Sequence, residues 1–141
     1  MKVLVDTSIW SVVLRKKPQK LTPKEKKVVD HFLDLLQDSR VQIMGPIRQE
    51  LISGISNELT FTKLKSHLQA FDDLFIEPKD YEIAAEYYNK CTCKGVQGSH
   101  IDFLICAVSY NHNIPIFTLD KDFLRYAKHV DVPLYRPFKE L

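Results

Sequence analysis

Residues 100–111 are long enough for about three turns of helix and apolar on almost every side of it. Ile101, Phe103, Leu104, Ile105, Ala107 and Val108 do not fit one narrow stripe. A helix of this kind has to be packed from several directions, so it is predicted to be central and buried. Ser99 is placed to cap its start. Such a helix requires a layered domain around it.

The remaining elements alternate. Residues 2–5 and 115–118 are short runs with β-branched residues, read as strands, and a further strand is predicted over 41–44, stopped by Gly45 and Pro46. A short helix over 7–14 ends in a basic stretch before Pro18. Thr22, Pro23 and Glu25 make a strong helix start: cap, first position and third. Val28, Val29, Phe32, Leu35 and Leu36 form its inward face. Pro46 opens a helix carrying Ile47, Glu50 and Leu51. Leu64, Leu68, Phe71 and Phe75 share one helical face. Asp80 is read as the cap of the next helix, with Tyr81, Ala84, Ala85 and Tyr88 inward, followed by a loop over 94–98. A short helix over 120–127 and an edge strand over 132–135 close the chain. Strands alternating with helices imply an α/β fold, a central parallel sheet flanked by helices in three layers.

The length, 141 residues, suits a single domain spanning 1–141. With 45% hydrophobic and 27% charged residues it can bury a core without staples. No apolar run is long enough for a membrane span, and the start of the chain does not read as a signal peptide. The three cysteines are expected to be reduced thiols in a cytoplasm. Cys91, Cys93 and His100 invite a zinc reading, but a second ligand pair is missing. Cys106 is read as a small core residue.

Asp6 lies where the first strand ends and Asp120 where the third ends; Glu50 lies just inside the helix after the second. The carboxyl ends of parallel strands open on one edge, where ligands of open α/β sheets bind. Asp102, in the first turn of the buried helix, adds a fourth acid if that helix starts at the same edge. Carboxylates gathered closely raise one another's pKa unless neutralised. Mg²⁺ or Mn²⁺, which prefer oxygen ligands, would relieve this. Such ions can hold a phosphodiester oxygen and activate water. With the four acids set aside, 20 basic residues face 14 of the 18 acidic ones, a balance of +6 that suits a polyanion. Each acid also has an ordinary role open to it. Asp6 and Asp120 could cap helices, Ser99 and Asp102 resemble a capping box, and Glu50 could be a solvated position.

The run from Val3 to Trp10 resembles the opening of PIN-domain proteins. The stretch from Ser99 to Ala107 resembles their third acidic motif and that from Phe117 to Phe123 their last, while Glu50 sits where they keep a glutamate. Within that family the chain is most similar to the VapC toxins of toxin–antitoxin pairs. The resemblance implies a Mg²⁺- or Mn²⁺-dependent endoribonuclease acting on RNA such as transfer or ribosomal RNA. It also implies a homodimer and a small antitoxin that blocks the pocket. Asp6, Glu50 and Asp102 then look like core metal ligands, with Asp120 the fourth acid and Asp122 its rival. Ser8 and Thr118 would orient carboxylates or water. Arg15, Lys16 and Lys17 could bind phosphates, with Arg48, Lys94, Lys121 and Arg125 as further candidates.

Other roles fit parts of the pattern. A PIN-type nuclease in RNA processing or decay needs no antitoxin. A non-catalytic nucleic-acid-binding PIN module would not need all four acidic positions filled. A phosphoacceptor domain would need an aspartate where the second strand instead ends in Gly45 and Pro46.

Overall fold

The computed structural model describes residues 1–15 and 17–138, with Arg15 described by its backbone alone. Three parallel strands form the sheet: β1 (Val3–Val5), β2 (Val41–Gln42) and β3 (Ile116–Phe117), in the order β2-β1-β3. Val3 pairs with Val41, and Val5 with Phe117. All three β1 residues are buried, as a central strand covered on both faces requires. The expected strand over 41–44 is shorter, with Ile43 making only an isolated bridge to Asp73. The expected edge strand contracts likewise to a bridge between Leu134 and Ile116.

Helices flank this sheet: α1 (Thr7–Arg15), α2 (Pro23–Gln37), α3 (Gly45–Ile52), α4 (Glu58–Leu68), α5 (Pro78–Cys93), α6 (His100–His112) and α7 (Asp122–Tyr126). The fold is therefore the expected α/β type. None of these helices is long and apolar enough to cross a membrane. Thr22 and Glu25 form the expected reciprocal capping box, both bonds at 3.1 Å, with Pro23 inside the first turn. Trp10 on α1 donates its indole N–H to the Val5 carbonyl at 3.1 Å and packs edge-on against Phe32 and Phe71. This contact locks α1 onto the end of β1 and fixes the residue between them, Asp6. The segment from Phe103 to Ser109 of α6 is fully buried, as its composition predicted, whereas Ile101 is exposed.

Helical periodicity overreached in three places. Leu36 is exposed on α2. Helix α4 stops at Leu68, so Phe71 reaches the core from a turn and Phe75 is 76% exposed. The chain turns there because the Leu68 and Phe71 carbonyls bond to Arg48, and Leu74 then bonds back to Ile43. On α5 the cap is Glu77, not Asp80. Pro78 takes the first helical position, so Asp80 becomes the third, where it accepts the Glu77 N–H at 2.8 Å. Asp80 is 0% exposed, whereas Tyr81 and Ala85 are exposed, not inward.

Candidate active site

Asp6 follows β1 directly. Its backbone carbonyl accepts the first free N–H groups of α1, from Ile9 and Trp10, so it does cap that helix. Its side chain contributes as well, with Oδ2 accepting the Ser8 N–H at 3.4 Å. Oδ2 accepts the Thr118 hydroxyl at 2.8 Å and the Ser8 hydroxyl at 2.9 Å. The two hydroxyl oxygens lie 3.2 Å apart. Each has one proton, so with both donating to Asp6 neither donates to the other. Their lone pairs are used as well: Ser8 Oγ accepts the Leu119 N–H and Thr118 Oγ1 accepts the Asp120 N–H, both at 2.9 Å. Ser8 and Thr118 thus join the ends of β1 and β3 and hold one buried carboxylate in place.

Asp120 lies just before α7 and accepts the Asp122 N–H on Oδ1 at 2.9 Å. Asp102, Asp120 and Asp122 each offer an oxygen within 4.8 Å of the other two. Asp102 reaches them from the first turn of α6, where the Ser99 hydroxyl accepts its N–H at 3.0 Å. Burial raises the Asp102 carboxyl above the usual carboxylate range; the Tyr126 hydrogen bond opposes this, and the charges of Asp120 and Asp6 add to it. Glu50 stands at the exposed rim, where Oε2 accepts the Thr7 hydroxyl at 2.9 Å. It is held beside Asp6 through Asp6's neighbour, but is not one of the three tightly grouped acids. Asp6 thus caps α1, whereas Ser99 and not Asp102 caps α6, and the cap position of α7 is Lys121, not Asp120.

Among the described residues, no ion pair reaches Asp6, Asp102 or Asp120, and Arg125 pairs with Asp122 at 3.0 Å. An all-carboxylate donor set of this kind, in which Arg125 offsets the charge of Asp122 but not those of Asp102 and Asp120 among the described residues, fits a hard divalent cation.

The family model for the PIN domain matches residues 3–129. The chain belongs to the PIN-domain family. This PIN domain is similar in fold to FitAcB from Neisseria gonorrhoeae, at 23% identity and TM-score 0.72, covering 97% of this chain and 99% of that one. VapBC2 from Rickettsia felis, bound to a DNA fragment from their promoter, matches at 18% identity and TM-score 0.70, over 96% and 98%. VapBC-5 from Mycobacterium tuberculosis, of the VapBC family of toxin-antitoxin systems, matches at 17% and 0.65, over 96% and 98%. No curated protein matches this PIN domain closely enough in sequence to count as a relative.

The basic candidates separate. Lys17, Lys94 and Lys121 are exposed, whereas Lys16 and the side chain of Arg15 lie outside the described residues. Arg48 is turned inward: its guanidinium donates to the carbonyls of Leu68 and Phe71 and to Asp73. Two residues of the site were not anticipated. Tyr126 donates its hydroxyl to Asp102 Oδ2 at 2.7 Å, and Gly98 lies against its ring. The signals available were faint: Tyr126 is four residues past Asp122 on a helix, and Gly98 directly precedes the cap Ser99.

Proposed function

We propose that this PIN domain is a divalent-metal-dependent endoribonuclease and the toxin of a type II toxin–antitoxin pair. One observation carries the nuclease reading: the convergence of Asp102, Asp120 and Asp122 within 4.8 Å at the sheet edge where Asp6 is fixed. Asp6, Asp102, Asp120 and Asp122 would hold Mg²⁺ or Mn²⁺, with Glu50 contributing from the open side. The bound ion supplies neutralising charge for the phosphodiester and a water of lowered pKa. The chain's own part is positional. Ser8 and Thr118 keep the Asp6 carboxylate in one orientation, and Thr118 ties that orientation to the backbone of Asp120. No cysteine, serine or histidine nucleophile is required.

The antitoxin reading is supported by the kind of protein that shares the fold, since the VapBC-5 structure is of a toxin–antitoxin system. RNA, with transfer or ribosomal RNA as the structured class, is the proposed substrate. A cytoplasmic homodimer is the proposed form. Exposed Lys17 and Lys121 would contact phosphates.

The test is cleavage of total RNA by the purified chain with Mg²⁺, with Mn²⁺ or in EDTA, alongside Asp6→Asn and Asp102→Asn. Cleavage is expected only with metal and only in the parent. Cleavage that persists in EDTA, or in both variants, would sink the mechanism. Sequencing new RNA ends after induction in cells, with and without any small reading frame encoded beside it, tests toxicity, target and antitoxin together.

A further inference from the structure

We infer that Tyr126 is a positioning residue for Asp102, and that position 98 is glycine because the Tyr126 ring occupies the space a side chain would need. The inference rests on the metal-dependent reading above and deepens it.

The phenol donates to Asp102 Oδ2 at 2.7 Å, a well-formed O–H···O hydrogen bond. Its ring is 1% exposed and packs against Phe103 and Phe123, with centroids 4.8 and 5.6 Å away. On another side lies Gly98. A Cβ there would stand 2.6 Å from the hydroxyl oxygen and 2.8 Å from Cε1 and Cζ. Gly98 is not among the glycines with positive φ, so the position requires space, not conformational freedom. A ring enclosed in this way holds its hydroxyl in one place. The bond therefore sets the plane of the Asp102 carboxylate and takes one of its acceptor positions, leaving the others for the space shared with Asp120 and Asp122. Tyr126 lies one helical turn beyond Asp122 on α7, so a single short helix both supplies an acid to the cluster and orients another. Core filling alone does not explain the phenol, because a phenylalanine would pack the same ring without burying a hydroxyl.

The experiment measures Mn²⁺ binding to the full chain without RNA, by calorimetry and by the electron paramagnetic resonance of the ion. Tyr126→Phe removes one oxygen and keeps the ring. It is expected to weaken Mn²⁺ binding by about 10- to 100-fold and to alter the spectrum of the bound ion. In cleavage assays kcat should fall while KM for RNA is unchanged. Gly98→Ala, whose new methyl drives the ring away, should lose comparable Mn²⁺ affinity. Val28→Ala, a core truncation on α2, serves as a stability control and should keep parental affinity. Three results would overturn the inference. Tyr126→Phe could bind Mn²⁺ like the parent while Asp102→Asn does not, which leaves the metal site intact and removes Tyr126 from it. Val28→Ala could lose as much affinity as Tyr126→Phe, which makes the effect one of general stability. The parent could fail to bind Mn²⁺ at all, in which case the metal-dependent reading falls as well.

Discussion

Thr118 Oγ1 donates to Asp6 Oδ2 at 2.8 Å and accepts the Asp120 N–H at 2.9 Å, so one hydroxyl couples two acids 114 residues apart in the chain. Replacing Thr118 with valine keeps the shape and removes both bonds. The Asp6 carboxylate would retain Ser8 alone as a hydroxyl donor, and the Asp120 amide would lose its acceptor. We expect a stability loss of about 1–3 kcal/mol and a fall in RNA cleavage of about 10- to 100-fold, read by thermal melting and a cleavage assay. Full activity in Thr118→Val would show that Asp6 needs no second hydroxyl.

This coupling was partly legible in the sequence, since Asp6 and Thr118 both sit at ends of strands whose parallel course follows from the alternation of elements. The position of Asp102 was legible too, because Ser99 marks where α6 begins. Neither the distance of Glu50 from the other acids nor the balance between Asp120 and Asp122 could be read, as each depends on a helix's final placement by a few tenths of a nanometre. Tyr126 was hidden for a different reason. Its role exists only where Gly98 from another segment leaves room for the ring, and no periodicity encodes that contact. The misplaced end of α4 is similar: Phe71 and Phe75 continue the helical period, but tertiary bonds from Arg48 end the helix before them.

Metal removal gives an expectation with a definite sign. Burial, then the charges of Asp120 and Asp6, leave the Asp102 carboxyl raised despite the Tyr126 hydrogen bond. A carboxyl raised in the folded state costs stability as pH rises through the window between the ordinary and the raised value. In EDTA at pH 7, Asp102→Asn should therefore melt above the parent, and the gap should close as pH falls to about 4. Asparagine still offers an oxygen to Tyr126, so that bond is kept while the charge is removed. Saturating Mg²⁺ should reverse the order, since a ligand at a hundredfold excess over its Kd stabilises by about 2.7 kcal/mol. An Asp102→Asn protein no more stable than the parent in EDTA would contradict the electrostatic account of the cluster.

A second buried acid behaves oppositely. Asp80 joins the start of α5 to the end of α6, accepting from Asn111 at 2.8 Å and His112 at 2.9 Å. Burial alone would raise its carboxyl, but hydrogen bonds from Asn111, the Glu77 N–H and His112 bring it below the usual range. A depressed carboxyl contributes stability above its unfolded-state pKa, and that contribution is lost as pH falls through the folded value. Asp80→Ala should cost about 1–3 kcal/mol at pH 6, because the Glu77 N–H, the Asn111 amide and the His112 ring lose their buried acceptor. The difference from the parent should shrink below about pH 4. Urea melts at pH 6 and pH 3 check this; an equal gap at both would mean that the carboxylate charge contributes nothing.

Arg48 and Lys121 separate bracing from substrate contact. The Arg48 guanidinium donates to the carbonyls of Leu68 at 2.8 Å and Phe71 at 2.7 Å and pairs with Asp73 at 2.8 Å. The last carbonyls of a helix have no partner within it, so the Leu68 bond completes the end of α4 and the Phe71 bond holds the turn that follows. Arg48→Met should destabilise by about 2–3 kcal/mol, or about 5–10 °C in melting, with RNA affinity unchanged at temperatures where the variant is folded. Lys121→Ala removes an exposed charge beside Asp120 and Asp122. It should leave the melt in place, weaken RNA binding and lower the salt dependence of that binding by about one unit of slope. Binding titrations at several salt concentrations discriminate the two roles. If Arg48→Met proves stable but binds RNA poorly, the guanidinium contacts phosphate after all, and its three internal bonds are not what holds the turn after α4.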